Sequence, residues 1–202
     1  MLRHPPSLTI APLLLLALAF AAPALARSGA ATEARGLVER SEAQVRVDPD
    51  ASQRLATQAL DALGGVPDTD PDAYVLARLL LCEHHTERSR EEAERHAAAA
   101  RAALPRAHRA GLEARLLACE GEIQEAAGQS AAAMTLFEQA VASAERASDD
   151  EYLAEALFRR GNLRGLRAEY AAGLRDLKRA HALYGKVGQD GHATTVHNAI
   201  AI

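Results

Sequence analysis

Two stretches decide the architecture: GEIQEAAGQSAAAMTLFEQA, residues 121–140, and GNLRGLRAEYAAGLRDLKRA, residues 161–180. They are copies of one pattern set forty residues apart. Gly121, Ala133, Phe137 and Ala140 fall on Gly161, Gly173, Leu177 and Ala180, so small residues meet small ones and large apolar residues meet large ones. One period upstream the register reads Leu81, Ala93, Ala97 and Ala100, a weaker copy that keeps the second and fourth small residues; one period beyond Gly161 stands Ala201. Leu76, Leu116, Ala156 and Val196 stay apolar in step, and Ile123 falls on Leu163, whereas the column Ala77, Leu117, Leu157 and His197 matches in size only at its middle pair. Self-similarity at a fixed period marks a repeat architecture, in which each unit buries its apolar face only by stacking on its neighbours.

Signals at the edges make each unit a pair of helices. Pro71 after Asp70 and Pro105 after Leu104 suit first-turn positions, where a missing amide proton costs nothing. Ser89 with Glu92 forms a capping box, Gly128 before Ser130 marks a turn, and Gly188 closes a helix. The predicted pairs are 70–87 with 90–104, 106–126 with 130–147, and 150–167 with 170–187. A further pair, 32–47 and 50–63, precedes them, with Asp48-Pro49 between its members and Gly64-Gly65 at its end. No segment alternates polar and apolar over six residues, so no strand is expected and the fold class is all-α. Helix axes lie about 8–10 Å apart, closest where the crossing residues are small. Gly121 and Gly161 are therefore predicted to meet Ala133 and Gly173, with Phe137 and Leu177 filling the groove toward the neighbouring unit.

Composition agrees. The 202 residues are 49% apolar, 25% charged and 3% aromatic, with no Trp. That mix excludes a disordered chain, a collagen and a disulfide-stapled miniprotein, and it starves an aromatic-rich β core. With 23 basic and 27 acidic residues and no basic block, nothing draws the chain to nucleic acid. Residues 1–26 read as a cleavable signal peptide: Arg3 without an acid, an apolar run from Ile10 to Ala22, then Ala24-Leu25-Ala26 with cleavage after Ala26. The run is shorter than the ~20 residues of a spanning helix. Cleavage leaves 22 basic against 27 acidic residues, a charge of −5. The chain thus divides into the leader (1–26), a degenerate helix pair (27–69) and the repeats (70–202), the last incomplete. A bacterial periplasmic or secreted location is expected.

The spacing of Gly121, Ala133, Phe137 and Ala140, and of Gly161, Gly173, Leu177 and Ala180 with Tyr170, resembles the tetratricopeptide repeat family. The period is 40 rather than ~34, Leu117 and Leu157 stand where an aromatic is usual, and Glu120 and Arg160 replace the Leu before the Gly. A HEAT-like or other α-solenoid stays open, and stacked helix pairs hold in either. The resemblance implies an α-solenoid scaffold that binds a peptide or protein on a concave face lined by first helices. The positions it implicates include Val75, Arg78, Cys82 and His85, then Arg115, Ala118, Glu122 and Glu125, then Phe158, Asn162 and Leu166, and finally Asn198. Of these, Arg78, His85, Arg115, Glu122, Glu125, Phe158 and Asn162 are the partner-binding candidates. Asn162 has Phe158 rather than Lys one turn before it, so the family's clamp for a C-terminal carboxylate is not expected. The plainer reading of Arg115, Glu122 and Glu125 is a solvated helix face.

No catalytic motif appears: there is no G-x-S-x-G, P-loop or H-E-x-x-H. Neither an enzyme nor a cofactor is expected. His84 and His85 stand near Glu83 and Glu87, but neighbouring residues point about 100° apart on a helix and His96 lies on the next one, so no metal site is expected. Cys82 and Cys119 sit about one turn apart on successive first helices. A disulfide needs α-carbons within about 7 Å, tight for axes ~9 Å apart, so the reading favours two buried thiols. At the C-terminal end, Val196, Ile200 and Ile202 have no partner helix to cover them, and a continuation beyond Ile202 is expected. The leader, the period and the run Gly161–Tyr170 are similar to the exported sensor regions of bacterial membrane-bound diguanylate cyclases. That alternative implies an input role, with membrane contact only through the missing continuation.

Overall fold

The computed structural model describes the backbone of residues 11–200 and the side chains of residues 27–200. The first ten residues of the predicted leader, the side chains of its remainder, and Ala201 and Ile202 lie outside that description. The described chain is all-α: α1 (Ala11–Gln44), α2 (Pro49–Ala62), α3 (Pro71–His85), α4 (Arg90–Ala103), α5 (Leu112–Ala126), α6 (Ser130–Ala147), α7 (Asp150–Leu166), α8 (Tyr170–Lys186) and α9 (Asp190–Ile200), with a short 3-10 turn at Leu104–Arg106. Among the described residues there is no strand, and no helix is long and apolar enough to cross a membrane.

Side-chain caps begin four of these helices. The carboxylates of Asp48, Asp70 and Asp149 accept the amides of Ala51 (2.8 Å), Ala73 (3.0 Å) and Tyr152 (3.0 Å). The Ser89 hydroxyl accepts that of Glu92 (3.4 Å), each cap satisfying a donor the first turn would leave orphaned. Pro105 departs from expectation: it sits in the 3-10 turn, and α5 begins only at Leu112. The cause is Asp72 of α3, whose carboxylate accepts the amides of His108 (2.7 Å) and Arg109 (3.0 Å) and holds that segment out of a helix. Gly111 then turns the chain with φ +80°, where a Cβ would also collide with Tyr152 and Asp149. Left-handed turns recur at the forty-residue interval: Gly128 (φ 73°) and Ala168 (φ 61°) follow α5 and α7, and Ser148 (φ 54°) and Gly188 (φ 75°) follow α6 and α8.

Short turns fold the helices into neighbouring pairs α1–α2, α3–α4, α5–α6 and α7–α8, while α9 packs on α8. The odd-numbered helices α1, α3, α5 and α7 also lie side by side, whereas α2, α4, α6 and α8 make at most marginal contact with one another. Within the pairs Gly161 meets Gly173 as the repeat predicts, whereas the nearest neighbour of Gly121 is the Phe137 ring rather than Ala133. A Cβ on Gly121 would overlap the Phe137 ring; one on Gly161 would come within 3.0 Å of Leu177; and one on Gly173 would sit 2.8 Å from the Gly161 carbonyl oxygen. Phe137 and Leu177 therefore lie over the glycine of their own pair. Phe137 also reaches the next unit, packing with Ala133, Met134 and Leu163.

Two further corrections concern the expected loose ends. Val196 is 1% exposed, buried in the cluster that holds Leu157, Leu177 and Tyr184, and Ile200 packs against the same cluster. Part of the apolar face of α9 is thus covered by α8. Cys82 and Cys119 are not free thiols: they form a disulfide with α-carbons 6.5 Å apart. At these two positions the backbones approach within the ~7 Å that a disulfide allows, although the generic axis spacing argued for buried thiols. In the chain-entropy account, closing a 37-residue loop is worth about 3–4 kcal/mol.

Two measurements check this packing. Alkylation of the unreduced protein should leave its mass unchanged and, after reduction under denaturing conditions, add two labels. Gly121→Ala should lower stability in urea unfolding by about 1–3 kcal/mol through overpacking. Ala168→Gly, at an exposed left-handed position, should raise it by about 1 kcal/mol. Gly121→Ala as stable as wild type would contradict the close approach, and Ala168→Gly no more stable than wild type would contradict the left-handed turn.

Candidate functional site

The side-by-side odd helices carry the predicted partner-binding residues, but the structure divides them. Arg78 and His85 on α3 turn toward α4. The Arg78 guanidinium lies 5.0 Å over the Tyr74 ring, with Nη1 3.3 Å from His96 Nδ1, and the His85 ring lies nearly parallel to that of His96 with centroids 5.8 Å apart. Val75 and Cys82 are fully buried and Ala118 nearly so, between helices rather than on a free face. Asn198 is exposed on α9, and Leu166, at 78% exposure, stands free at the end of α7.

Arg115, Glu122 and Glu125 do not form the solvated face of the plainer reading. The Arg115 side chain is 10% exposed and forks between carboxylates of two other helices, donating to Glu83 from Nε (2.7 Å) and Nη2 (3.0 Å) and to Glu42 from Nη1 (2.7 Å). Removing one partner from so enclosed a pair leaves a charge stranded, which is why Arg115 belongs to the fold before it belongs to any ligand. One junction along, Arg159 of α7 donates from Nε to Glu155 (2.7 Å) on its own helix and lies at ion-pair distance (2.9 Å) from Glu122 on α5. Its guanidinium also lies 5.9 Å from the Phe158 ring centroid. Arg46, after α1, reaches across to the Thr195 hydroxyl on α9 at 2.7 Å.

A single guanidinium cannot neutralise two carboxylates, and the two are driven apart. Burial acts to raise Glu155, but Arg159 and the Tyr184 hydroxyl, which donates to it at 2.5 Å, outweigh burial and hold it near 2. Glu122 has only its share of Arg159 against burial and the neighbouring carboxylates Glu83, Glu155 and Glu125, and is pushed up to about 8. Burial raises Glu125 too, with Arg159 opposing. Although Glu122 sits at ion-pair distance from Arg159, burial and the neighbouring carboxylates hold its carboxyl well above the usual carboxylate range, because Glu155 has the better geometry for the shared cation.

Above this pair opens a groove of about 620 Å³, walled by the Thr86–Arg90 turn on one side and by Glu122, Glu125, Arg159 and Asn162 on the other. Three of the predicted binding residues, Glu122, Glu125 and Asn162, thus line one cavity. The cations around it are mostly engaged: Arg159 by two carboxylates, Arg90 by Glu94 (2.7 Å), and Arg88 by the His84 carbonyl (2.8 Å). Among the described residues Glu125 has no ion-pair partner. Sequence reasoning missed Glu83, Glu155 and Arg159, although the period carries a trace of them: Cys82 and Cys119 recur forty residues on as Glu122 and Arg159. The disulfide and this ion pair join successive odd helices at matching positions. Sequence reasoning also left His85 and His96 apart, yet one ring nitrogen of each and a Glu92 oxygen lie within 4.8 Å of one another.

Comparison with protein-family models, with curated proteins and with solved structures finds no match. The reading of the face rests on its geometry.

Glu122 sets a pH dependence. A carboxyl whose folded pKa is raised contributes stability at low pH that is lost as pH climbs to that value. Burial, reinforced by Arg78, lowers His96 to about 4, so His96 and the lowered Glu155 add stability with rising pH only below about 6.5. From pH 6.5 to 8.5, stability in urea titrations should therefore fall, by at most about 1.4 kcal/mol per pH unit. In Glu122→Gln that slope should flatten; an unchanged slope would remove Glu122 from this role.

Proposed function

We propose that the chain is an exported α-solenoid scaffold of the tetratricopeptide type that captures a partner polypeptide on the face carried by α3, α5 and α7. Three features support the repeat reading: the side-by-side odd helices, the glycine contacts repeated in two successive pairs, and the turns repeated at forty residues. Export is supported by the Ala24-Leu25-Ala26 leader signal and by the disulfide, a bond that persists in oxidising compartments.

The observation that carries the binding reading is the groove over Glu122, Glu125 and Asn162. Elsewhere along this face Arg115 and its carboxylates occupy the space a ligand would need, so engagement is local. Glu122 and Glu125 lie three residues apart, on one face of α5; Arg90 and Arg159 are matched by carboxylates, and the lining acids Glu87 and Glu125, which have no ion-pair partner among the described residues, outnumber Arg88, which only a carbonyl engages. The charge left over is negative, and the occupant that complements it is a stretch of partner chain bearing Lys or Arg. Arrival of such a cation at Glu122 would displace its proton, so binding tightens as pH rises from 7 to 9.

Panning a pool of random twelve-residue peptides against the tag-free chain should enrich sequences containing Lys or Arg. The best of them should weaken at least tenfold when its basic residue is replaced by citrulline or norleucine, and similarly against Glu125→Gln. Since Glu125 makes no ion pair, that variant loses none of the pairing that holds the fold. Neutral peptides binding wild type and Glu125→Gln alike would overturn the groove assignment.

A further inference from the structure

The three ligand-type groups at the α3–α4 junction have no part in the groove. We propose that His85, Glu92 and His96 form a binding site for a zinc-type divalent ion. His85 ends α3, while Glu92 and His96, one turn apart, stand on the first turns of α4, so the helix pair itself brings the groups together. His96 Nε2 lies 3.9 Å from Glu92 Oε2. Donors held at about 2.0–2.1 Å around a tetrahedral ion are separated by about 3.3 Å. Closing the set therefore requires movements of roughly 0.6 to 1.5 Å, within reach of side-chain rotation. The imidazoles lie nearly parallel with centroids 5.8 Å apart, so one ring must turn about its side-chain bonds to bring the ion into both ring planes. His85 Nδ1 is shielded from solvent and has no hydrogen-bond partner, an unmet polar atom that the fold alone does not explain. Two imidazoles and one carboxylate are the donor set of zinc and its transition-metal neighbours rather than of calcium or magnesium, and three protein ligands leave one position open.

Two cations oppose the ion. Arg95 pairs with Glu92 from the exposed side of α4, and Arg78 approaches His96 Nδ1. A guanidinium only donates, so Nδ1 accepts there and the ring proton sits on Nε2. Binding a metal at Nε2 moves that proton to Nδ1, and Arg78 must then withdraw, with the Tyr74 ring already beneath it. Arg78 thus acts as the gatekeeper of the site: its removal should favour the metal. The ion would clamp the two helices that flank the Thr86–Arg90 turn, the outer wall of the groove.

Calorimetric titration of the tag-free chain with zinc should give one site per chain. Cobalt(II) should report it by the visible absorption of four-coordination, reversed by zinc. Glu92→Gln, at a half-exposed position that folding tolerates, and His96→Ala should each weaken zinc at least tenfold. Arg78→Gln should tighten it at least fivefold, and His84→Ala should change nothing. Equal affinity in wild type, Glu92→Gln and Arg78→Gln, or several weak sites without four-coordinate cobalt absorption, would show adventitious histidine binding and overturn the proposal.

Discussion

The contact on which this molecule depends is the meeting of a glycine on one helix with a bulky side chain on its partner: Gly121 under Phe137, and Gly161 under Leu177 with Gly173 alongside. Without a Cβ at these crossings, Phe137 is wholly enclosed and Leu177 nearly so. Fully burying such a side chain contributes about 1.5–3 kcal/mol. With no Trp and few Phe, the core consists largely of Leu and Ala, and small side chains supply enough contact area only when backbones come close. Successive odd helices also come close enough for a disulfide at one junction and a Glu–Arg ion pair at the next.

That spacing turns the charges inward. Arg115 and Arg159 are each shared between carboxylates, and in each case a carboxylate comes from another helix. Such sharing fixes the register between repeats more strictly than apolar packing does, because a slide of one turn would strand a buried charge. It also makes the protonation of Glu122 a property of the junction and not of one residue.

The helices and their pairing were legible because they follow from local signals: Asp48-Pro49, Asp70-Pro71, the capping box at Ser89, and small residues recurring every forty positions. The start of α5 was not. The long-range hydrogen bonds that the Asp72 carboxylate accepts from the amides of His108 and Arg109 delayed α5, and no local propensity carries that information. The site was half legible. Periodicity chose the helix and the face, so Glu122, Glu125 and Asn162 emerged together. It could not distinguish an arginine that greets a ligand from one that bolts α5 to α1 and α3, as Arg115 does, because the difference lies in partners 32 and 73 residues away. His85 and His96 were separated for the same reason: helical angle relates neighbours on one helix, not residues facing each other across a pair.

The matched junctions differ mechanically. Were the molecule pulled from its two ends, the Glu122–Arg159 link could part under load, whereas the Cys82–Cys119 bond would keep the 37-residue stretch between its sulfurs from extending. That withheld stretch corresponds to about 13 nm of contour length. A force-extension trace in an oxidising medium should be shorter than one taken after reduction by about that amount, making the thiol state of the surroundings the setting for how far the chain can stretch.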